Sequence, residues 1–118
     1  ALNYRDPRAL SRPHPIFGEV PVRRALTMAV DRETLVRNVF DSLGVVALAP
    51  APRALIPDTT ALEPLAYDPA AARALLDSAG WRDTDGDGYR ERAGIALAFE
   101  VLVPNSSASR QRYAVLLQ

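Results

Sequence analysis

Tyr67-Asp68-Pro69-Ala70-Ala71-Ala72-Arg73-Ala74-Leu75-Leu76-Asp77-Ser78-Ala79-Gly80-Trp81 carries the start, the buried face and the stop of one helix. Asp68 offers a side-chain acceptor to the first turn, and Pro69 suits the first helical position, where a missing N–H costs nothing. Ala72, Leu75, Leu76 and Ala79 fall on one face. Gly80 supplies the left-handed residue that ends the helix, and Trp81 follows it, placed to fold back onto Leu76 as in a Schellman-type end. Trp81 therefore reads as a packing residue rather than a stacking platform for a ligand.

Upstream, Val22, Ala25, Leu26, Ala29 and Val30 repeat at helical spacing behind Pro21, which predicts an amphipathic helix from Val20. Asp31 is placed to cap a second helix, with Glu33 in its first turn and Leu35, Val36, Val39, Phe40 and Leu43 as its stripe, closing near Gly44. Before them, Arg5 to Pro15 holds Pro7, Pro13 and Pro15 and reads as a loop of extended character. Ala1 to Tyr4 read as the end of a strand. Between the helices, Val45 to Tyr67 carries Pro50, Pro52, Pro57 and Pro64 and reads as a connection. A link of that length is unusual in a compact domain unless it is functional or packs on something else.

Downstream of Trp81 comes an acidic, Gly-rich turn, Asp83 to Gly88. Ile95, Leu97, Phe99, Val101 and Val103 then alternate with less apolar positions, which predicts a strand ended by Pro104-Asn105. Ser106 or Ser107 can cap a last helix whose stripe, Tyr113, Leu116 and Leu117, is cut off at Gln118. The expected class is α/β: about four helices, one clear strand and a short N-terminal strand. A lone strand leaves backbone groups unpaired on both edges, so the chain is expected to be truncated at both ends, with partners outside it.

The 118 residues fit one domain, with 48% hydrophobic and 24% charged residues. Fourteen basic residues balance fourteen acidic ones. That balance argues against a polyanion, an acidic substrate or an anionic membrane as partner. Every basic residue is Arg, which points to base composition at the origin rather than to fourteen uses of a guanidinium. With no Cys there are no disulfides, thiolate metal sites or Cys nucleophile, and the compartment stays open. No apolar run approaches the roughly 18 residues of a membrane span, and a removed leader would leave no trace.

Asp83, Asp85 and Asp87 stand at positions 1, 3 and 5 of a pattern whose position 6 is Gly88, like the first half of an EF-hand calcium loop. The second half departs from it, with Glu91 at position 9, Gly94 at position 12 in place of the bidentate Glu, and a strand where a helix should follow. The segment reads as a structural turn, with Asp83, Asp85 and Asp87 as its candidate calcium ligands. His14, between two prolines, reads as a surface or packing residue. Ser106, Ser107 and Ser109 lack the Gly-flanked elbow of a nucleophile and read as caps. Arg23, Arg24, Arg32 and Arg37 lie among Glu19, Asp31, Glu33 and Asp41, a solvated face rather than a DNA reader.

Phe17, Val22-Arg23-Arg24-Ala25-Leu26 and Ala29-Val30-Asp31-Arg32-Glu33 resemble the signature of peptide/oligopeptide/nickel-type extracellular solute-binding proteins, family 5, of ABC importers. Tyr67-Asp68-Pro69, Ala72, Leu75-Leu76, Ala79-Gly80-Trp81, the Asp-Gly turn to Gly94, and Arg112, Ala114 and Gln118 resemble its continuation, in the same order. The resemblance implies part of the C-terminal lobe of a two-lobe, type II periplasmic-binding-protein fold, residues 1–118 forming a single partial domain. It implies capture of a peptide or related small solute without catalysis and delivery to an ABC permease. A periplasmic or lipid-anchored monomer at the outer face of a bacterial membrane is expected, with no cofactor and no nucleic acid. Val45 to Ala49 lack the Gly-rich character usual after the second helix. The ligand-binding residues are not assigned by the resemblance. From another class, the alternative is a calcium-dependent structural or adhesion module using Asp83 to Gly88.

Overall fold

The computed structural model of the chain describes residues 4–49, 53–60 and 62–117. Among them are four α-helices and two two-stranded antiparallel ribbons. The chain divides into two compact units, Ala1–Ala29 with Asp68–Glu100, and Val30–Tyr67 with Val101–Gln118.

The first unit is built on α1 (Val20–Met28) packed against α3 (Pro69–Ser78). Val22 and Ala25 from α1 and Ala72 and Leu76 from α3 are buried together with Ile16, Phe17 and Trp81. Alanine at the buried positions 25 and 72 has a physical use, since a side chain of one carbon leaves room for two helix backbones to come together. Larger residues there would overpack the contact. At the end of α3 the Trp81 N–H donates to Leu76 O (2.9 Å) and the Gly80 N–H to Asp77 O (3.1 Å), which is the expected Schellman pair. Gly80 makes it possible with φ +83°. Trp81 is 1% exposed. Burying an indole is worth roughly 4–6 kcal/mol from about 150–250 Å² of area. That outweighs the roughly 1–3 kcal/mol cost of its Nε1–H, which has no partner among the described residues.

Caps foreseen from single residues are in place. Asp68 Oδ1 accepts from Ala71 N (2.8 Å), Asp31 Oδ1 from Thr34 N (3.0 Å), and Ser107 Oγ from Arg110 N (3.5 Å). The second unit contains α2 (Arg32–Phe40), continued by a 3-10 turn at Asp41–Leu43, and α4 (Ala108–Leu116), which packs on α2. Its core is thin: of the α2 stripe only Leu35 is buried, and Phe40 is 45% exposed. The connection between α2 and α3 holds a 3-10 turn at Arg53–Leu55 and an Asp58 turn, in which Oδ1 accepts from Thr60 N. Pro50 and Pro52 lie outside the described residues.

Two strand expectations need correction. Ala1 to Asn3 lie outside the described residues, and Tyr4 is not in a strand. The Pro-rich stretch after it forms a ribbon instead: β1 (Arg5–Asp6) pairs with β2 (Ala9–Pro13). Asp6 Oδ1 accepts from Arg8 N (2.8 Å), an Asx-type turn with Pro7 inside it, and Pro13 sits at the strand end, where its missing donor is tolerated. The alternating stretch 95–103 yields only β4 (Ile95–Ala96), paired with β3 (Glu91–Arg92). Alternation specifies two faces but not a partner, and β3 is two residues long. From Ala98 to Val103 the backbone has nothing among the described residues to pair with.

The β3–β4 loop is Ala93-Gly94, with φ +50° and +75°. Both residues are left-handed, as a two-residue primed turn requires, and for Ala this costs about 1–2 kcal/mol. Ala93→Gly is therefore expected to raise the urea midpoint by the equivalent of roughly 1 kcal/mol. Gly80→Ala, whose added Cβ would also stand 3.3 Å from Arg92 Cδ, is expected to lower it by about as much. An Ala93→Gly midpoint below that of the parent chain would contradict the strained-turn assignment.

Candidate functional site

The acidic turn is organised by its own backbone. Asp83 Oδ1 accepts from Gly86 N (2.7 Å) and Oδ2 from Gly88 N (3.0 Å); Asp85 Oδ1 accepts from Asp87 N (3.2 Å) and Asp87 Oδ1 from Tyr89 N (2.8 Å). Glu91 reaches back across the turn, its Oε1 accepting from the amide and the hydroxyl of Thr84. Asp83, Asp85 and Glu91 bring ligand atoms within 4.8 Å of one another. Asp87 does not join them, so the foreseen trio is only two-thirds assembled, and Glu91, noted in sequence only as position 9, takes the third place. Asp83 and Asp85 are exposed and Glu91 is half-buried. The group can hold a cation only in competition with bonds that already define the turn.

Two arginines tie this turn to the helical layer. Arg90 Nη1 donates to Asp77 on α3 and to Trp81 O (2.7 Å). Arg92 forms a fork on the Glu19 carboxylate, donates to Ala79 O (2.9 Å) at the end of α3, and lies over the Trp81 ring at 4.9 Å. Glu19 stands at the N-cap position of α1 yet makes no capping bond with its side chain, because Arg92 holds it. The Arg92 hydrogen bond draws the Glu19 carboxyl below the usual carboxylate range against the opposing effect of burial, and raises Arg92 in return.

The remaining sequence candidates are spent on structure. His14 Nδ1 accepts from Ile16 N and Phe17 N (both 3.1 Å), and its ring stacks on Phe17 at 4.7 Å. This closes the turn that enters α1, where a Cβ on Gly18 would stand 2.5 Å from His14 O. Arg23 Nη1 donates to Phe17 O and Gly18 O, locking the same turn. Ser107 caps α4 and bonds the Ser109 hydroxyl. Among the described residues none of these groups is arranged as nucleophile and base.

The second unit carries concave surfaces that the sequence did not announce. A groove of about 630 Å³ runs between the start of α2 and the returning connection, with Asp31, Glu33, Val46, Leu48, Pro64 and Tyr67 on its walls. Arg32 fixes it by donating to Leu65 O, 33 residues away. Another, of about 300 Å³, is almost wholly apolar, with Phe40, Val101, Val103, Tyr113 and Leu117 on its walls. Only the uncommitted apolar alternation at 97–103 hinted at the second; the first depends on a tertiary approach with no local signature.

A family model for bacterial extracellular solute-binding proteins, family 5 Middle, matches residues 1–118. The chain is 34% identical over 105 residues to the oligopeptide-binding protein AppA of Bacillus subtilis (strain 168), covering 87% of the chain and 19% of that protein. It is 32% identical over 100 residues to the nickel-binding periplasmic protein of Escherichia coli (strain K12), covering 85% of the chain and 19% of that protein. The chain thus spans about a fifth of the length of these relatives. No solved structure matches it.

Two tests follow from the geometry. Because the folded Glu19 carboxyl titrates below its unfolded value, its contribution to stability is complete above the unfolded pKa, near 4.3, and is lost as pH falls through the lowered folded value. Glu19→Gln should flatten the acid limb of a stability-against-pH curve below about pH 4.5, whereas an unchanged slope would remove Glu19 from the acid response. Asp83→Ala, which deletes the acceptor for two turn amides, should cost about 1–2 kcal/mol by denaturant titration and speed exchange of the Gly86 and Gly88 amides.

Proposed function

The chain belongs to the bacterial extracellular solute-binding proteins, family 5, and from that premise we propose that it is part of the substrate-binding component of an ABC importer, capturing a peptide or a related small solute outside the cytoplasm. The observation that carries the reading is the match over the whole of residues 1–118, which takes in the α1–α2 signature and the Asp68 to Gly94 stretch together. Its relatives' names specify oligopeptide binding for one and nickel binding for another, so the solute is one of those chemical classes.

In this reading no bond is made or broken. A receptor of this kind works by a shift between open and closed states, and the solute favours the closed one by its differential affinity. Residues 1–118 are a portion of the C-terminal lobe, acting as one partial domain and supplying scaffold and part of a wall. The membrane partner is an ABC permease, and the place of action is the periplasm or the outer face of the membrane, with the protein monomeric.

The test is ligand-linked stability of the full-length protein. A mixed library of short peptides, and separately a nickel salt, should include one that raises the melting temperature saturably, since a ligand at about 100 times its Kd adds roughly 2.7 kcal/mol. If neither class shifts the melting temperature and isothermal titration of both gives no heat, the receptor reading fails.

A further inference from the structure

We propose that Asp85 and Asp87 are sites of spontaneous isoaspartate formation, and that the Asp83 carboxylate restrains both reactions by holding the two amides that start them. Of the six glycines in the chain only Gly86 and Gly88 follow an acidic residue, and none follows Asn. In an Asp-Gly pair no side chain shields the glycine nitrogen, and the backbone there turns freely. Residues 83–89 are all exposed, and a Cβ at Gly86 or Gly88 would meet nothing within 4 Å. Water and a new ring both have room.

The chemistry is a dehydration followed by a hydrolysis. The glycine nitrogen gives up its proton and attacks the Cγ of the preceding aspartic acid; a C–N bond forms, and the carboxyl hydroxyl leaves with that proton as water. Hydrolysis of the resulting succinimide at the former main-chain carbonyl breaks that carbonyl's bond to nitrogen and leaves the chain running through Cγ. The water lost is regained, so no oxidant, reductant or other reactant enters. Nothing in this chemistry depends on which solute, if any, the chain captures.

The first step needs a free glycine N–H, and neither is free. Asp83 Oδ1 accepts from Gly86 N at 2.7 Å and Oδ2 from Gly88 N at 3.0 Å. Each bond must break before its nitrogen attacks, and the negative carboxylate beside it disfavours the amide anion that does so. The electrophiles are held as well, Asp85 Oδ1 by Asp87 N and Asp87 Oδ1 by Tyr89 N, in each case the amide beyond the glycine. One side chain thus restrains both sites, with one oxygen for each. Every isomerised residue lengthens the main chain by one carbon in the turn that leads into β3, the strand whose Arg92 reaches Glu19 and the Trp81 ring.

The experiment follows isoaspartate in the full-length protein during prolonged incubation at neutral pH. Trypsin releases residues 83–90 as one peptide, since Arg82 and Arg90 bound it, and electron-transfer fragmentation locates isoaspartate by cleavage of its Cα–Cβ bond. The synthetic peptide of the same sequence is the unrestrained reference. In the parent protein both sites should react at least about tenfold more slowly than in that peptide, because a hydrogen bond to a charged group must open first. Asp83→Ala should speed both sites about tenfold, and Asp83→Asn, which keeps one acceptor oxygen, should speed one of them only. Glu91→Ala, which frees the Thr84 amide and hydroxyl but neither glycine amide, should speed neither. Parent rates equal to the peptide's overturn the proposal. So do Asp83 variants that leave both rates unchanged, or a Glu91→Ala rate as high as that of Asp83→Ala, which assigns the restraint to general order in the turn. Should Asp83→Ala not fold, Asp83→Asn and the peptide comparison decide.

Discussion

The first unit depends on one left-handed residue. Because Gly80 turns at φ +83°, the chain reverses at the end of α3 and lays Trp81 back against Leu76 in the α1–α3 interface. A continued helix would have carried the indole away from that interface. Trp81 in turn supplies the surface on which Arg92 lies, and Arg92 holds Glu19 at the start of α1 and Ala79 O at the end of α3. A single backbone conformation thus sets both the apolar and the charged contacts of the unit.

The same logic explains a chain with many arginines and no net charge. Arg23 closes the turn before α1, Arg32 pins the connection to α2, and Arg90 and Arg92 brace the β3–β4 hairpin. In each case a guanidinium reaches a backbone carbonyl that would otherwise be left to water, which a point-charged ammonium does less well in a forked geometry. Arginine abundance of compositional origin is compatible with such structural use. The exposed ion pairs themselves contribute little; the contacts to carbonyls and to the indole do more.

The helices were legible because their signals are local. Asp68, Pro69, Gly80 and Trp81 specify start, first turn, stop and return within fifteen residues, and Asp31 and Ser107 act on amides three residues away. What the sequence did not disclose depends on distant partners or is masked by a contrary local signal. The Arg5 to Pro13 ribbon hides behind prolines that argue against regular structure, the Arg32 to Leu65 contact spans the connection, and the alternation at 95–103 names two faces without naming what pairs with them. The acidic turn was half legible: the spacing of Asp83 and Asp85 brings them together, but Glu91 joins them only because the hairpin folds it back.

The two units differ in how self-sufficient they are, and that difference bears on what the chain does. The first buries seven residues in one contiguous cluster, whereas the second buries only Leu35 among its described residues and leaves Phe40, Val101 and Leu102 in water. Apolar burial is the main favourable contribution to folding, so the first has most of its stabilisation in hand and the second does not. On the proposed reading, residues 1–118 supply the packed α1–α3 framework together with an open apolar surface beside α4. The motifs that identify the family fall mainly on the framework, which is why they specify the kind of protein more sharply than they specify its solute.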